Sequence, residues 1–169
     1  PSNQVNYFEN FDYIRPYSLK LDNKVVIGFI GTVRYKEILI NLLNAVNKLS
    51  NVIILIAGSG PDLLSIKNYV EENSMEDMVV FTGRYNQSDM ASIYSVCNCV
   101  WAAYPNKDSN VRYAISNKYF ESALFNKKII VSEDTFLGEE VVKDNRGYTV
   151  NPYSTLEIIL LINKIVKNN

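Results

Sequence analysis

Short apolar runs rich in β-branched residues alternate along this chain with longer stretches in which apolar residues recur at helical spacing. The runs are too short for helices, so we predict that they form buried strands. They comprise residues 25–30, 52–57, 79–82, 100–103, 128–132 and 148–150. Strands that alternate with helices over short connections form a parallel sheet, because each parallel crossover usually needs a helix. The alternation therefore predicts an α/β fold.

The expected architecture is a doubly wound, Rossmann-like parallel sheet of about six strands, in the order 3-2-1-4-5-6, with helices on both faces. Helices are predicted around residues 38–49, 63–70, 90–96, 116–125, 138–142 and 155–166. Residues 104–115 are predicted to form a polar loop. Asn126 is predicted to end the helix before it in the left-handed conformation, which Asn tolerates better than most residues.

Two segments follow from the same patterns. Residues 1–23 are polar and aromatic with no clear period, and we interpret them as an N-terminal extension or connector on the domain surface. Residues 24–169 carry the regular alternation and are predicted to form one domain. The sequence starts at Pro1 without an initiator Met, which favours a fragment of a longer protein.

Composition excludes several function classes. The net charge of −1 disfavours a nucleic-acid binder that works through bulk positive charge. The chain has no His, so no His-based triad, His general base or two-His metal site can exist in it. Cys97 and Cys99 lie in one apolar run. If that run is a strand they share a face as i, i+2 neighbours, and they are predicted to be reduced and unbridged. With no signal peptide and no apolar run of membrane-spanning length, we expect a cytoplasmic location, and we expect no bound metal.

In a doubly wound sheet, ligands bind beyond the carboxyl ends of the strands where the strand order reverses, here between the first and fourth strands. The loop after the first strand supplies Gly31, Arg34 and Lys36. The glycine permits close backbone approach, and the two cations suit a diphosphate, although a pair of solvated surface charges is the alternative. Neither a Gly-x-Gly-x-x-Gly fingerprint nor a P-loop follows this strand, which disfavours a dehydrogenase or an ATPase.

A helix start after the fourth strand meets the same crevice. Ser116 is a strong N-cap residue, so the N–H groups near Asn117 and Lys118 lie at the positive end of a helix, where a phosphate is favoured. Glu121, one turn further on, is placed to reach a sugar hydroxyl. A plain capped helix with a solvated Glu is the alternative. The apolar face expected to pack on the sheet comprises Tyr119, Phe120, Ala123 and Leu124.

Two further turns are candidates. Gly58 opens a Gly-Ser-Gly-Pro turn after the second strand, which could face a nucleotide, although small residues are needed there for turn geometry in any case. Arg84 and Tyr85 follow the third strand and could offer backbone groups and an aromatic face to a base. An exposed Arg-Tyr pair at a strand end is an equal alternative.

Five motifs in order resemble one family. They are Ile-Ala-Gly-Ser-Gly-Pro, Val-Val-Phe-Thr-Gly-Arg, Ile-Tyr-Ser-Val-Cys-Asn-Cys-Val, Ser-Asn-Lys-Tyr-Phe-Glu-Ser-Ala and Lys-Lys-Ile-Ile-Val-Ser, at residues 56–61, 79–84, 93–100, 116–123 and 127–132. From about Val25 to Pro152 the chain resembles the C-terminal, donor-binding domain of retaining glycosyltransferases of the GT-B fold (glycosyl transferases group 1).

The resemblance implies roles for named residues. Arg34 and Lys36 would hold the donor diphosphate and stabilise it as a leaving group, together with amides near Asn117 and Lys118. Glu121 would bind the ribose. Arg84 and Tyr85 would lie beside the base. Two positions depart from the family pattern, because Tyr113 stands where many members carry a Glu and Thr32 where an Arg is frequent.

The implied function is recognition of a nucleoside-diphosphate sugar by a hexosyl-type glycosyltransferase of bacterial surface or capsular polysaccharide assembly. The donor is a substrate, and no cofactor is implied. The acceptor-binding N-terminal domain would be missing, so the isolated domain is expected to be inactive, and any peripheral membrane association would run through the missing part. The alternatives are a sugar-nucleotide epimerase of the same paired-domain fold, which the lack of His disfavours, and a non-enzymatic flavodoxin-like binding module.

Overall fold

The computed structural model describes residues 12–169, and its centre is a six-stranded parallel sheet. The strand order is β3-β2-β1-β4-β5-β6, as the sequence predicted. The strands are β1 (Val25–Ile30), β2 (Val52–Ala57), β3 (Val79–Gly83), β4 (Cys99–Ala102), β5 (Lys128–Ser132) and β6 (Gly147–Val150). Strand β1 pairs with β2 on one side and with β4 on the other. The strand order reverses between β1 and β4.

Eight helices surround the sheet in the described part of the chain. They are α1 (Ser18–Leu21), α2 (Lys36–Val46), α3 (Leu63–Glu72), α4 (Met90–Ser95), α5 (Ser109–Tyr113), α6 (Asn117–Leu124), α7 (Phe136–Lys143) and α8 (Thr155–Lys167). Short 3₁₀ turns lie at Arg15–Tyr17, Glu76–Met78 and Gln87–Asp89. Residue Asn126 adopts φ 54°, the left-handed conformation predicted after α6.

Both faces of the sheet are covered. Ile27 and Phe29 of β1 point to a core shared with α2, α3 and α8, whereas Val26 and Ile30 point to a second core shared with α1, α4 and α7. A fully buried aliphatic or aromatic side chain contributes about 1.5–3 kcal/mol, so these two layers are the main source of stability. The doubly wound arrangement predicted from the sequence is therefore confirmed.

The prediction that the two cysteines share one face of a strand is wrong. Cys97 precedes β4, because its N–H donates to the Tyr94 carbonyl and closes α4 (3.1 Å). Asn98 then pairs with β1, donating its N–H to the Val26 carbonyl and accepting the Val26 N–H on its side-chain oxygen (2.8 and 2.7 Å). Cys97 packs into the core that contains α4, and Cys99 packs into the core that contains α2, so the two side chains lie on opposite faces of the sheet. Both are buried and unbridged.

Two further expectations are corrected. The exposed fractions of Phe120 and Leu124 are 59% and 56%, so these side chains do not pack on the sheet. Ser122 is the buried residue of α6, because the helix turns that side toward β4 and β5. The stretch 104–115 is not entirely loop, since α5 forms within it and the Asp108 side chain caps it by accepting the Asn110 N–H (2.9 Å).

Tyr13 holds the first described residues against the end of β3. The Tyr13 hydroxyl lies 3.0–3.1 Å from the carbonyl oxygens of Thr82, Gly83 and Arg84 at the end of β3. Ile14 and Leu21 are buried in the α4 core. Residues 1–11 of the proposed extension lie outside the described residues, and the division at residue 23 stays a prediction. No helix within residues 12–169 combines the length and apolar character needed to cross a bilayer.

Candidate functional site

A cavity of about 790 Å³ opens beyond the carboxyl ends of β1, β4 and β5, where the strand order reverses. Its size suits a small-molecule ligand. The predicted site residues that line it are Gly31, Arg34, Tyr85, Ser116, Asn117 and Lys118. Four others, Lys36, Gly58, Arg84 and Glu121, do not line it. The topology thus brings most of the predicted residues to one edge of the sheet.

The loop after β1 forms one wall. Arg34 is exposed, and its guanidinium lies 4.8 Å from the centroid of the Tyr35 ring. Tyr35 begins α2 in the left-handed conformation (φ 62°) and packs on Tyr104, with 5.6 Å between ring centroids. Gly31 has φ 140°, and a Cβ there would lie 3.2 Å from Cε of Lys118. Because Gly31 has no side chain, the Lys118 side chain can lie above the end of β1.

Lys36 and Gly58 lie beside this wall. The Lys36 N–H donates to the Asp62 carboxylate (3.0 Å), which fixes the start of α2, while its side chain is exposed and its ammonium group has no described partner. Gly58 has φ 136° and packs on Gly31, so its small size serves turn geometry. A role for Lys36 in holding a diphosphate stays a prediction.

The start of α6 forms the opposite wall. The Ser116 hydroxyl accepts the Lys118 N–H (3.1 Å), as expected for an N-cap. That bond occupies one of the two N–H groups predicted to face a phosphate. The Asn117 N–H has no partner among residues 12–169, so it is the amide that remains available to an anion.

Glu121 lies behind this wall. Its Oε2 accepts two hydrogen bonds, from the Lys118 ammonium (2.7 Å) and from the Tyr94 hydroxyl (2.6 Å). The Lys118 and Glu121 side chains are only 12% and 24% exposed. Burial, and then the hydrogen bond to Glu121, raise the pKa of Tyr94, so its hydroxyl remains a donor.

Tyr104 connects the two walls. Burial raises its pKa most, while the nearby Arg34 lowers it and Glu121 raises it. The Ser116 side chain also lowers the pKa of the Tyr104 hydroxyl. Arg34 and Lys118 line the same cavity, and Glu121 accepts from the Lys118 ammonium, so Arg34 and Glu121 lie at the same edge of the sheet.

The end of β3 reaches the cavity through Tyr85. Its ring lines the cavity, and burial, with a smaller effect of the Glu121 charge, raises the pKa of Tyr85 to about 12. Arg84 is exposed, and its carbonyl accepts the Tyr13 hydroxyl. Of the predicted pair, only the tyrosine lines the cavity.

A comparison with family profiles shows which family the chain belongs to. The profile described as glycosyl transferases group 1 matches residues 10–169. The chain belongs to that family. Its resemblance to the C-terminal domains of GT-B glycosyltransferases is thereby confirmed. A comparison with curated proteins gives no significant match.

Solved structures show the same fold for this group 1 domain. Sucrose-phosphate synthase from Thermosynechococcus elongatus superposes with a TM-score of 0.73 at 19% identity, over 95% of this chain and 40% of that one. Anabaena HepE in complex with UDP and glucose superposes with a TM-score of 0.75 at 16% identity, over 96% and 45%. The C-terminal domain of a Francisella tularensis group 1 glycosyl transferase (LpcC) superposes with a TM-score of 0.70 at 16% identity, over 95% and 85%. This chain therefore spans less than half the length of the first two.

Sequence reasoning missed part of the cavity of this group 1 domain. Further lining residues are Tyr104, Asp108, Asn110, Val111, Ala114, Val131, Ser132, Thr135 and Leu137. Ser132 ends β5 and its hydroxyl donates to the Tyr104 carbonyl. A strand end beside the reversal point was a signal for Ser132, because the carboxyl ends of parallel strands meet at one edge. The contribution of α5 had no such signal, since that helix was not predicted.

Tyr113, one of the two positions at which the sequence departs from the expected pattern, does not line the main cavity. It is exposed and lines a neighbouring cavity of about 550 Å³ together with Arg112, Asp134 and Phe136. Among residues 12–169, no cluster of three or more His, Cys, Asp or Glu side chains could hold a metal ion.

Proposed function

We propose that this chain binds the nucleoside-diphosphate sugar of a glycosyltransferase in the cavity at the β1–β4 reversal. The observation that carries the proposal is the convergence of Arg34, Asn117 and Lys118 on one cavity from two separate elements, where the Asn117 N–H has no partner among residues 12–169. Two cations and a helix-terminal amide are the groups that favour a diphosphate. The complex of the similar HepE with UDP supports this choice of ligand class.

The same groups would assist sugar transfer. As the bond from the anomeric carbon to the diphosphate breaks, negative charge grows on the leaving oxygen. Fixed positive groups around that oxygen stabilise the charge without reorganisation. Arg34 and Lys118 would fill this role, and the exposed Lys36 beside the same loop would assist them. The cations take over the diphosphate charge, so the proposal includes no metal and no cofactor.

The nucleoside would extend from the diphosphate past Tyr85, which lines the cavity, toward Glu121 behind the α6 wall. The phenol ring of Tyr85 offers a stacking surface to a base, and Arg84 lies next to it at the cavity rim. Oε1 of Glu121, which accepts from no residue within 12–169, would accept ribose hydroxyls. The partial exposure of Glu121 is consistent with contact at the cavity edge.

The whole enzyme would need a second domain. Because the chain spans 40–45% of sucrose-phosphate synthase and HepE, we propose that an N-terminal domain binds the acceptor. The isolated chain would bind donor without transferring sugar. Transfer of a hexose with retention, in cytoplasmic assembly of surface polysaccharide, is the proposed setting, and any membrane association would run through the other domain.

A thermal-shift screen tests the proposal. Residues 1–169 are melted with UDP, GDP, ADP and CDP and with UDP-glucose and GDP-mannose. A ligand at a hundred times its Kd stabilises the native state by about 2.7 kcal/mol, so a clear rise in Tm is expected with at least one of them. Arg34→Gln should abolish most of that rise, whereas Arg15→Gln should not, because Arg15 is exposed and pairs with Asp12 away from the cavity. No rise with any nucleotide would overturn the proposal.

A further inference from the structure

Tyr94 has a polar contact that its position in the core does not require. Its side chain is completely buried on α4 and stacks on Phe125, with 4.6 Å between centroids and 23° between planes. It does not line the cavity. Its hydroxyl nevertheless lies 2.6 Å from Oε2 of Glu121, on a different helix. A Phe would fill the same core space, so the hydroxyl serves the carboxylate.

The two donors to Glu121 use the same oxygen. Tyr94 and Lys118 both donate to Oε2, and Oε1 accepts from no residue within 12–169. A carboxylate has about four lone-pair sites. Two donors from different directions fix the rotation of the carboxylate and leave the other oxygen for a ligand.

The donors differ in how permanent they are. Lys118 lines the cavity, so a bound diphosphate would compete with Glu121 for its ammonium group. Tyr94 is enclosed by the α4 core and stays where it is when the cavity fills. Its hydroxyl is therefore the contact that keeps Glu121 oriented while ligand is bound.

We propose that Tyr94 is a positioning residue that holds Glu121 so that Oε1 accepts the vicinal hydroxyls of a ribose. The inference rests on the proposed function, because it concerns the nucleoside half of the same cavity. It assigns selection of ribonucleotides over deoxyribonucleotides to a side chain that never touches the ligand. The carboxylate provides the contact, and the buried phenol provides its direction.

The experiment measures the ribose preference. Calorimetry gives the Kd of residues 1–169 for whichever of UDP, GDP, ADP and CDP binds most tightly, and for its 2′-deoxy counterpart. Tyr94→Phe should lower the ratio of deoxy to ribo Kd by roughly fivefold or more, because a misoriented carboxylate loses a charge-assisted hydrogen bond to the 2′-hydroxyl. Tyr69→Phe is the matched control, since the Tyr69 hydroxyl also donates over 2.6 Å, to Asn44, away from the cavity.

A second variant gives an independent arm. Lys118→Met should weaken both nucleotides through loss of a diphosphate contact, yet keep the ribose preference, because Tyr94 still orients Glu121. An unchanged ratio in Tyr94→Phe would overturn the inference, and so would an equal weakening of both nucleotides. If wild type binds a nucleotide but the ratio of deoxy to ribo Kd is unchanged in Tyr94→Phe, only the proposed role of Tyr94 is contradicted. If wild type binds none of the four, the proposed function fails as well.

Discussion

A Cβ atom on Gly58 would lie 1.9 Å from the carbonyl oxygen of Gly31, so the turns after β1 and β2 are in direct backbone contact. Gly31 lines the cavity, whereas Gly58 packs against Gly31 without lining the cavity. The position of the β1 loop, and with it that of Arg34, therefore depends on a residue that does not line the cavity.

Gly58→Ala should destabilise the fold by more than about 2 kcal/mol. The substitution combines φ 136°, which L residues rarely adopt, with a clash against backbone that cannot move aside. Gly83→Ala is the matched control, because its φ of 76° also costs about 1–2 kcal/mol but no atom of residues 12–169 lies within 4 Å of the added Cβ. Urea unfolding of both variants measures the difference. Equal losses would show that the contact with Gly31 is not tight.

Ser116→Ala should cost about 1 kcal/mol of stability and also weaken nucleotide binding. The hydroxyl caps α6 by accepting the Lys118 N–H, and its loss loosens the helix start that lines the cavity. Ser154→Ala removes an equivalent cap from α8, where the hydroxyl accepts the Glu157 N–H (3.2 Å). That variant should lose similar stability with unchanged affinity. The comparison uses urea unfolding and calorimetry, and equal affinities in the two variants would contradict a binding role for the α6 start.

The fold should lose stability at alkaline pH. Burial raises the pKa of Cys97 to about 12 and that of Cys99 to about 11, from an ordinary value near 9. Between pH 9 and these values the unfolded chain has released the thiol protons while the native chain keeps them. The unfolded state is therefore favoured as pH rises, by up to about 1.4 kcal/mol per pH unit for each thiol.

Urea unfolding at pH 8 and pH 10.5 checks this. The free energy of unfolding should fall by at least about 2 kcal/mol over that interval. The double variant Cys97→Ala, Cys99→Ala should show a shallower decline, although buried tyrosines still contribute. A flat profile in the wild-type chain would show that the thiols are not shielded from water.

The sequence predicted what local patterns control. The bounds of β2 and β5 and the left-handed Asn126 are confirmed, because they follow from short apolar runs and local backbone preference. The strand order is confirmed as well, because alternating strands and helices favour a doubly wound parallel sheet. The faces of Cys97 and Cys99 were wrong, since the start of β4 is set by Asn98, whose partner Val26 is distant in sequence. No local pattern carries that pairing.

The sequence predicted only part of the candidate site. Topology placed Gly31, Arg34, Ser116, Asn117 and Lys118 together, because each lies on a connection at the carboxyl edge of the sheet. The contacts to Glu121 could not be derived from the sequence. They depend on how α4 and α6 pack, which decides that a core tyrosine meets a partly exposed carboxylate.

The most direct measurement of the central claim is calorimetric titration of the best-binding nucleoside diphosphate into wild type, Arg34→Gln and Glu121→Ala. Arg34→Gln removes a cation that lines the cavity, and Glu121→Ala removes the proposed ribose contact behind the α6 wall, so each should weaken binding by about 1–3 kcal/mol, or roughly fivefold to 150-fold. Arg15→Gln should bind like wild type. Unchanged affinity in both Arg34→Gln and Glu121→Ala would contradict a nucleotide held between these two walls.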